Sequence, residues 1–262
     1  MSDDQLVHLE VVDQVGVVTL DNPPMNVTTL GLARALADAV RRVAADDTIR
    51  AVVLTGAGDR AFNAGSDIKE MPEMLVAGDI IRRKIAFENE TFTYLENLGK
   101  PTIAALNGVA FGGGLEMALC CDFIVADETT SMGLPEVKLG LFPGAGGPVR
   151  TARRIGEARA KQLIFLGEPL DAAIAFEWGL VDRIAPRGTA LVAAMELGRQ
   201  LAGIPAVSLR LAKGAISLRR DMSDSQALLA SVPLFDEVCT TADASEGVSA
   251  FISRRTPAFF HR

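Results

Sequence analysis

The chain has 262 residues, 49% hydrophobic and 23% charged, a globular balance that excludes an intrinsically disordered chain. Its 26 basic and 33 acidic residues leave a net charge of −7, which argues against a nucleic-acid partner. The two histidines, His8 and His261, stand at opposite ends, which speaks against Ser-His-Asp and Cys-His triads and histidine-rich zinc sites.

In chain order, "LVHLEVVDQVGVVTLD" (6–21) is rich in Val and Leu around a Gln-Val-Gly break and predicts two short strands. "TTLGLARALADAVRRVAAD" (28–46) repeats apolar residues at spacings of three and four, the period of a helix. "AVVLTG" (51–56) reads as a short buried strand, followed by an irregular loop at 57–69 and a helix over 80–98. "PTIAALNG" (101–108) is a further strand, then come three glycines with a helix behind them, then the strand "FIVAD" (123–127). Strand followed by helix, repeated, predicts an α/β core. Beyond about residue 150 the pattern turns helical, through "ARAKQLIFLG", "DAAIAFEWGL", "PAVSLRLAKGAISL" and "SDSQALLASVPLFDEVCTT". The last of these suit a separate helical layer or an oligomer contact.

No apolar run reaches membrane-spanning length, and "MSDDQLVHLE" lacks the basic-then-apolar layout of a signal peptide. Cys120 and Cys121, adjacent in an apolar helix, read as small buried hydrophobes in a reducing compartment, with Cys239 the third cysteine. The expectation is a soluble, cytoplasmic protein without a membrane partner.

Without a useful histidine, carboxylates and backbone amides are left to do any chemistry. Two glycine-rich loops fail as phosphate cradles. "GAGGPV" (144–149) has Val149 where a dinucleotide fingerprint takes glycine or alanine, and "GAGDRA" (56–61) runs into a polar loop. "FGGGLEMALCCD" (111–122) has two readings. Glycines at a helix start let a ligand oxygen approach unpaired N–H groups, the geometry of an oxyanion hole. Alternatively they allow a helix to pack closely on a strand, the commoner use. Glu116 falls in the first turn, where the helix dipole favours an acid regardless of function. Glu136 lies in the apolar, Gly/Pro-rich "GLPEVKLGLFPGAGG" (133–147), and its plain alternative is a surface pair with Lys138. Two glutamates beside an amide pocket would make an acid–base pair.

"AFNAGSDIKEM" (61–71), "NGVAFGGGLEMALCCD" (107–122) and "GLPEVKLGLFPGAGG", in this order and separation, resemble the crotonase superfamily, most closely the enoyl-CoA hydratases. The ending "SEGVSAFISRRTPAFFHR" resembles that family's C-terminal helix and tail, so the likeness runs from about residue 10 to 262. It implies an α/β crotonase-like spiral of ββα repeats with the acyl-CoA site over residues 1–200. It further implies a C-terminal helical trimerisation region over 201–262, in a homotrimer or a hexamer built as a dimer of trimers. Residue by residue, it implies an oxyanion hole at the N–H groups of Ser66 and Gly113, and Glu116 and Glu136 as the catalytic pair. Ala64, Asp67, Ile68, Gly112, Pro135 and Gly144 are implied substrate contacts, with the loop around Ala64 and Ile68 at the adenine end of CoA. No metal or cofactor is implied, coenzyme A being part of the substrate.

The implied activity is hydration of a 2-trans-enoyl-CoA. Alternatives are a Δ3-Δ2 enoyl-CoA isomerase, a specialised hydratase or dehydratase for branched or aromatic acyl-CoA, and, opposed by the intact glutamates, a non-catalytic acyl-CoA binder. Several positions depart from the family pattern. Ser66 stands where alanine is frequent, "PMNVTT" (24–29) and Pro148-Val149 differ from the usual wording, and 70–90 matches nothing sharply. That last region shapes the acyl pocket in the family, so chain length is unreadable. Arg60, Lys69, Arg254, Arg255 and Arg262 are candidates for the CoA phosphates or simply solvated charge. Asp122 and Trp178 read as structural.

Overall fold

A computed structural model describes residues 6–261, and Arg262 of the basic candidates lies outside them. The strands are β1 (Val7–Val12), β2 (Val15–Leu20), β3 (Ala51–Gly56), β4 (Ala61–Asn63), β5 (Thr102–Leu106), β6 (Val109–Phe111), β7 (Phe123–Asp127), β8 (Ser131–Gly133), β9 (Leu170–Asp171) and β10 (Arg183–Ala185). The helices are α1 (Leu30–Ala45), α2 (Met71–Ala77), α3 (Ala86–Glu96), α4 (Gly113–Ala118), α5 (Gly147–Ile155), α6 (Glu157–Leu166), α7 (Ala172–Glu177), α8 (Ala190–Ala202), α9 (Ala206–Ser217), α10 (Asp224–Cys239) and α11 (Ala242–Ile252).

Six strands form one sheet in the order β1-β2-β3-β5-β7-β10, parallel throughout except for the β1–β2 hairpin. Side chains alternate between its faces, so one sequence serves two cores. Val52, Leu54, Ala104, Leu106, Ile124 and Ala126 pack into the larger core with Leu32, Leu36 and Val40 of α1. Val53, Ile103, Ala105 and Val125 pack on the other face with Ala194, Met195 and Leu197 of α8. Burial on both faces explains why β3 and β5 are nearly continuous apolar runs. Each large side chain so enclosed contributes roughly 1.5–3 kcal/mol.

After β3, β5 and β7 comes, each time, a three-residue strand belonging to a second sheet, β4-β6-β8-β9. A helical segment follows: α2 after β4, α4 after β6, and the 3-10 turn Pro135–Leu139 with α5 after β8. These are the ββα repeats. Their second strands are absent from the sequence expectation, because three residues cannot display an alternation. β4, β6 and β8 run parallel, so their C-terminal ends lie side by side. Ligand sites in α/β proteins form at such carboxyl ends.

The helix expected over 80–98 is present in altered form. It opens with a π-helical turn, Ile81–Ile85, before α3, and α2 precedes it. Asp122 is structural as expected: its Oδ2 accepts from Thr102 N and Oγ1 and from Lys213 Nζ. Trp178 carries the Arg159 guanidinium 5.7 Å from its ring centroid. At the C-terminal end, α10 and α11 leave Leu228, Leu229, Val232, Phe235, Val248, Phe251 and Ile252 exposed. Among the described residues, no single helix is long and apolar enough to cross a membrane.

Candidate active site

Three of the four residues implied for the chemistry leave the ends of the second sheet's strands. Ser66 follows β4, Gly113 follows β6 and Glu136 follows β8, while Glu116 sits one turn into α4. All four line one cavity of about 410 Å³, together with Ala64, Ile68, Gly112, Pro135 and Gly144. Asp67 does not line it. Its N–H donates to Thr28 O, and its side chain caps the next turn by accepting from Lys69 N at 3.0 Å.

Thr28 and Ser66 form a parallel bridge, with Thr28 N donating to Gly65 O and Asp67 N to Thr28 O. Alternation along extended backbone then turns the Ser66 N–H to the opposite side. A Cβ built on Gly113 would lie 3.6 Å from the Ser66 amide nitrogen, so both amides border the same small volume. Among the described residues neither N–H has a hydrogen-bond acceptor.

The glycine run divides its work. Gly112 has φ +51°, and a Cβ there would stand 2.9 Å from Glu136 Oε1. Gly113 offers its amide. Gly114 serves packing, since a Cβ would fall 2.1 Å from Asn63 O. Close packing is present at Gly114, while Gly112 and Gly113 leave room beside Glu136 Oε1 and the Ser66 amide.

Glu116 is 3% exposed. Its Oε1 accepts from Ala145 N at 2.8 Å and Gly147 N at 2.7 Å. Burial pushes its carboxyl up to about 7; those two N–H bonds oppose the rise, and the charges of Glu136 and Glu88 add to it. Burial also raises Glu136, whose Oε2 is buried with no partner among the described residues. The pair therefore holds one carboxyl fixed by amides and one with an open oxygen, both raised above the ordinary carboxylate range by burial.

Several contributors escape sequence reasoning. In the "GAGG" loop, the amides of Ala145 and Gly147, at the start of α5, hold Glu116. Arg150 Nη1 in turn donates to Ala145 O at 2.8 Å and Arg150 Nε pairs with Glu96 at 2.9 Å, fixing that loop against α3. Asn89 Nδ2 ties Gly144 O to the same helix. Glu88, on α3, is a third carboxyl lining the cavity; burial raises it, while its neighbour Lys84 draws it down. The only sequence sign of Glu88 is its spacing from Ile81 and Ile85, which share the cavity wall. Of the basic candidates, Arg60, Lys69 and Arg254 are exposed, and Arg255 is paired with both oxygens of Glu246. Among the described residues no group of three or more His, Cys, Asp or Glu is placed to hold a metal ion.

The ββα repeats agree with comparison to known proteins. The enoyl-CoA hydratase/isomerase family model matches residues 10–262, and the chain belongs to that family and has the crotonase fold. A short-chain-enoyl-CoA hydratase of Clostridium acetobutylicum is 36% identical over 251 residues, covering 95% of each chain. An enoyl-CoA isomerase/hydratase of Mycosarcoma maydis is 40% identical over 218 residues, 82% of this chain and 78% of its own. The crystal structure of an enoyl-CoA hydratase from Bacillus anthracis superposes with a TM-score of 0.93 at 35% identity, covering 98% of this chain and all of that one.

Proposed function

We propose that the protein adds water across the 2,3 double bond of a 2-trans-enoyl-CoA. The observation that carries this reading is the pairing of two pKa-raised glutamates in one cavity with two unengaged amides, at Ser66 and Gly113. The amides bind the thioester oxygen and draw electron density from the β-carbon. A water between Glu116 and Glu136 attacks that carbon; one carboxylate takes the water's proton, and the other, protonated, delivers one to the α-carbon. Charge on the thioester oxygen peaks in the enolate-like transition state, so the amides stabilise that state above the bound substrate. The reaction uses no cofactor, coenzyme A being part of the substrate, and fits a cytoplasmic enzyme. Exposed apolar side chains on α10 and α11 support residues 201–262 as the oligomerising region of a homotrimer or hexamer.

The assay is the loss of the conjugated thioester's absorbance with crotonyl-CoA. Glu136→Gln should lower kcat by about 10²–10⁴ while acyl-CoA still binds; wild-type turnover in that variant would refute the role. The isomerase/hydratase relative favours a second reading, so 3-enoyl thioesters belong in the same assay. Conversion of these without hydration of crotonyl-CoA would select the isomerase.

A further inference from the structure

We propose that Glu88 makes this cavity selective for thioesters whose acyl group carries a further hydroxyl one or two carbons beyond the β-carbon, distinct from the hydroxyl that hydration installs. The inference rests on the acyl-thioester reading of the site, and on an acid that hydration does not require.

Ile81, Ile85 and Glu88 follow one another at spacings of four and three, and all three line the cavity. The wall is otherwise apolar, with Met71 and Leu75 from α2. Glu88 is 2% exposed. Its Oε1 accepts from Ser66 Oγ at 3.4 Å and pairs with Lys84 Nζ at 3.4 Å. Lys84, itself fully buried, is held more closely elsewhere, by Glu70 Oε2 at 2.8 Å and Thr28 O at 3.0 Å. Glu88 Oε2 has no partner among the described residues.

Glu88 Oε2 is not sealed in the interior, so what little of this residue is open faces the cavity it lines. A carboxyl oxygen there needs a hydrogen bond from water or from whatever displaces it. A hydrocarbon chain against this wall would strip Oε2 of water and return nothing. A hydroxyl satisfies it in either protonation state, donating to the carboxylate or accepting from the acid. A carboxylate-bearing acyl group would meet like charge. The contact of the Ser66 hydroxyl with Glu88, and the cavity that both share with Glu116, place Glu88 close to the thioester and reacting carbons, so the substituent belongs near them. Sites built around a substrate hydroxyl reject the analogue lacking it, because the protein's own polar atom is left unpaired.

The test uses saturated thioesters, which bind without reacting. Titration calorimetry compares 4-hydroxybutyryl-CoA with butyryl-CoA and 5-hydroxypentanoyl-CoA with pentanoyl-CoA, on wild type, Glu88→Leu and Glu88→Gln. At least one hydroxylated ligand should bind wild type about ten- to hundredfold tighter than its hydrocarbon partner. Glu88→Leu should abolish that ratio, and Glu88→Gln should keep part of it. Ratios within about twofold in wild type for both pairs would overturn the proposal. So would an unchanged ratio in Glu88→Leu, which would mark Glu88 as a support for Ser66 alone. Should Glu88→Leu fail a thermal-melt check of folding, the wild-type ratios decide. Crotonyl-CoA hydration is measured separately: its absence beside an intact binding preference would sink the hydratase reading and leave this one standing.

Discussion

Replacing Glu116 by glutamine should stabilise the protein and disable it, and the stabilisation should depend on pH in a defined window. The wild-type carboxyl, ordinarily titrating at 4.5, is pushed to about 7, chiefly by burial. Between those values the folded chain keeps a proton that the unfolded chain has released. Stability is therefore fully present below pH 4.5 and falls as pH rises to about 7, where the loss levels off. The gap corresponds to about 3 kcal/mol. Glutamine retains an oxygen to accept from Ala145 and Gly147 but carries no titrating proton. Denaturant melts should thus give equal stabilities for Glu116→Gln and wild type at pH 4, and an excess approaching about 3 kcal/mol for the variant at pH 8. Titrating groups that do not feel Glu116 contribute equally to both proteins and cancel in the difference. Glu136 and Glu88, which repel it, titrate more easily in the variant and add to its excess. Crotonyl-CoA hydration should fall by about 10²–10⁴ in the same variant. A difference independent of pH, or a variant weaker than wild type at pH 8, would refute the account of this carboxyl.

Gly112→Ala forces a side chain onto a φ of +51° and toward Glu136 Oε1, so kcat for crotonyl-CoA should drop at least about tenfold, with a stability loss of about 1 kcal/mol. Steady-state kinetics with kcat unaltered would show that Glu136 does not depend on that space. Arg150→Met removes the buried partner of Glu96 and the donor to Ala145 O, and should cost about 3 kcal/mol in a urea melt. An unshifted midpoint would mean that Arg153 and Arg220, which also pair with Glu96, carry the link alone. Phe235→Asp places a charge on an exposed apolar stretch of α10 and should lower the sedimenting mass from that of the proposed trimer or hexamer; an unchanged mass would exclude that face as the contact.

The long strands were legible because burial on both faces leaves a compositional mark: "AVVLTG" and "TIAAL" have few polar residues to place. β4, β6 and β8 left no such mark. "AFN", "VAF" and "SMG" are each three residues long and gain their identity from pairing with one another. Glu116 and Glu136 stood out through their surroundings, an acid behind a glycine run and an acid in an apolar loop. Lys84 and Glu88 did not, because an i,i+4 Lys–Glu pair on a helix ordinarily faces water, and here both are buried. The amides of Ala145 and Gly147 were hidden for a different reason. Backbone donors carry no residue signature, and their acceptor lies about thirty positions earlier in the chain, a relation created only by folding.

The two sides of the cavity draw largely on different elements and meet at α3, through Asn89, Glu96 and the Ser66–Glu88 contact. Glu116 and Glu136 are positioned by the ends of a sheet and by the loop that Arg150 clamps, whereas the opposing wall consists of short helical pieces between residues 68 and 88. Ile68, Leu75 and Ile81 on that wall are already open to solvent, so their replacement disturbs little of the core. Redesign of what this cavity accepts can therefore proceed along one stretch of about twenty residues, leaving Glu116, Glu136 and the Ser66 and Gly113 amides in place.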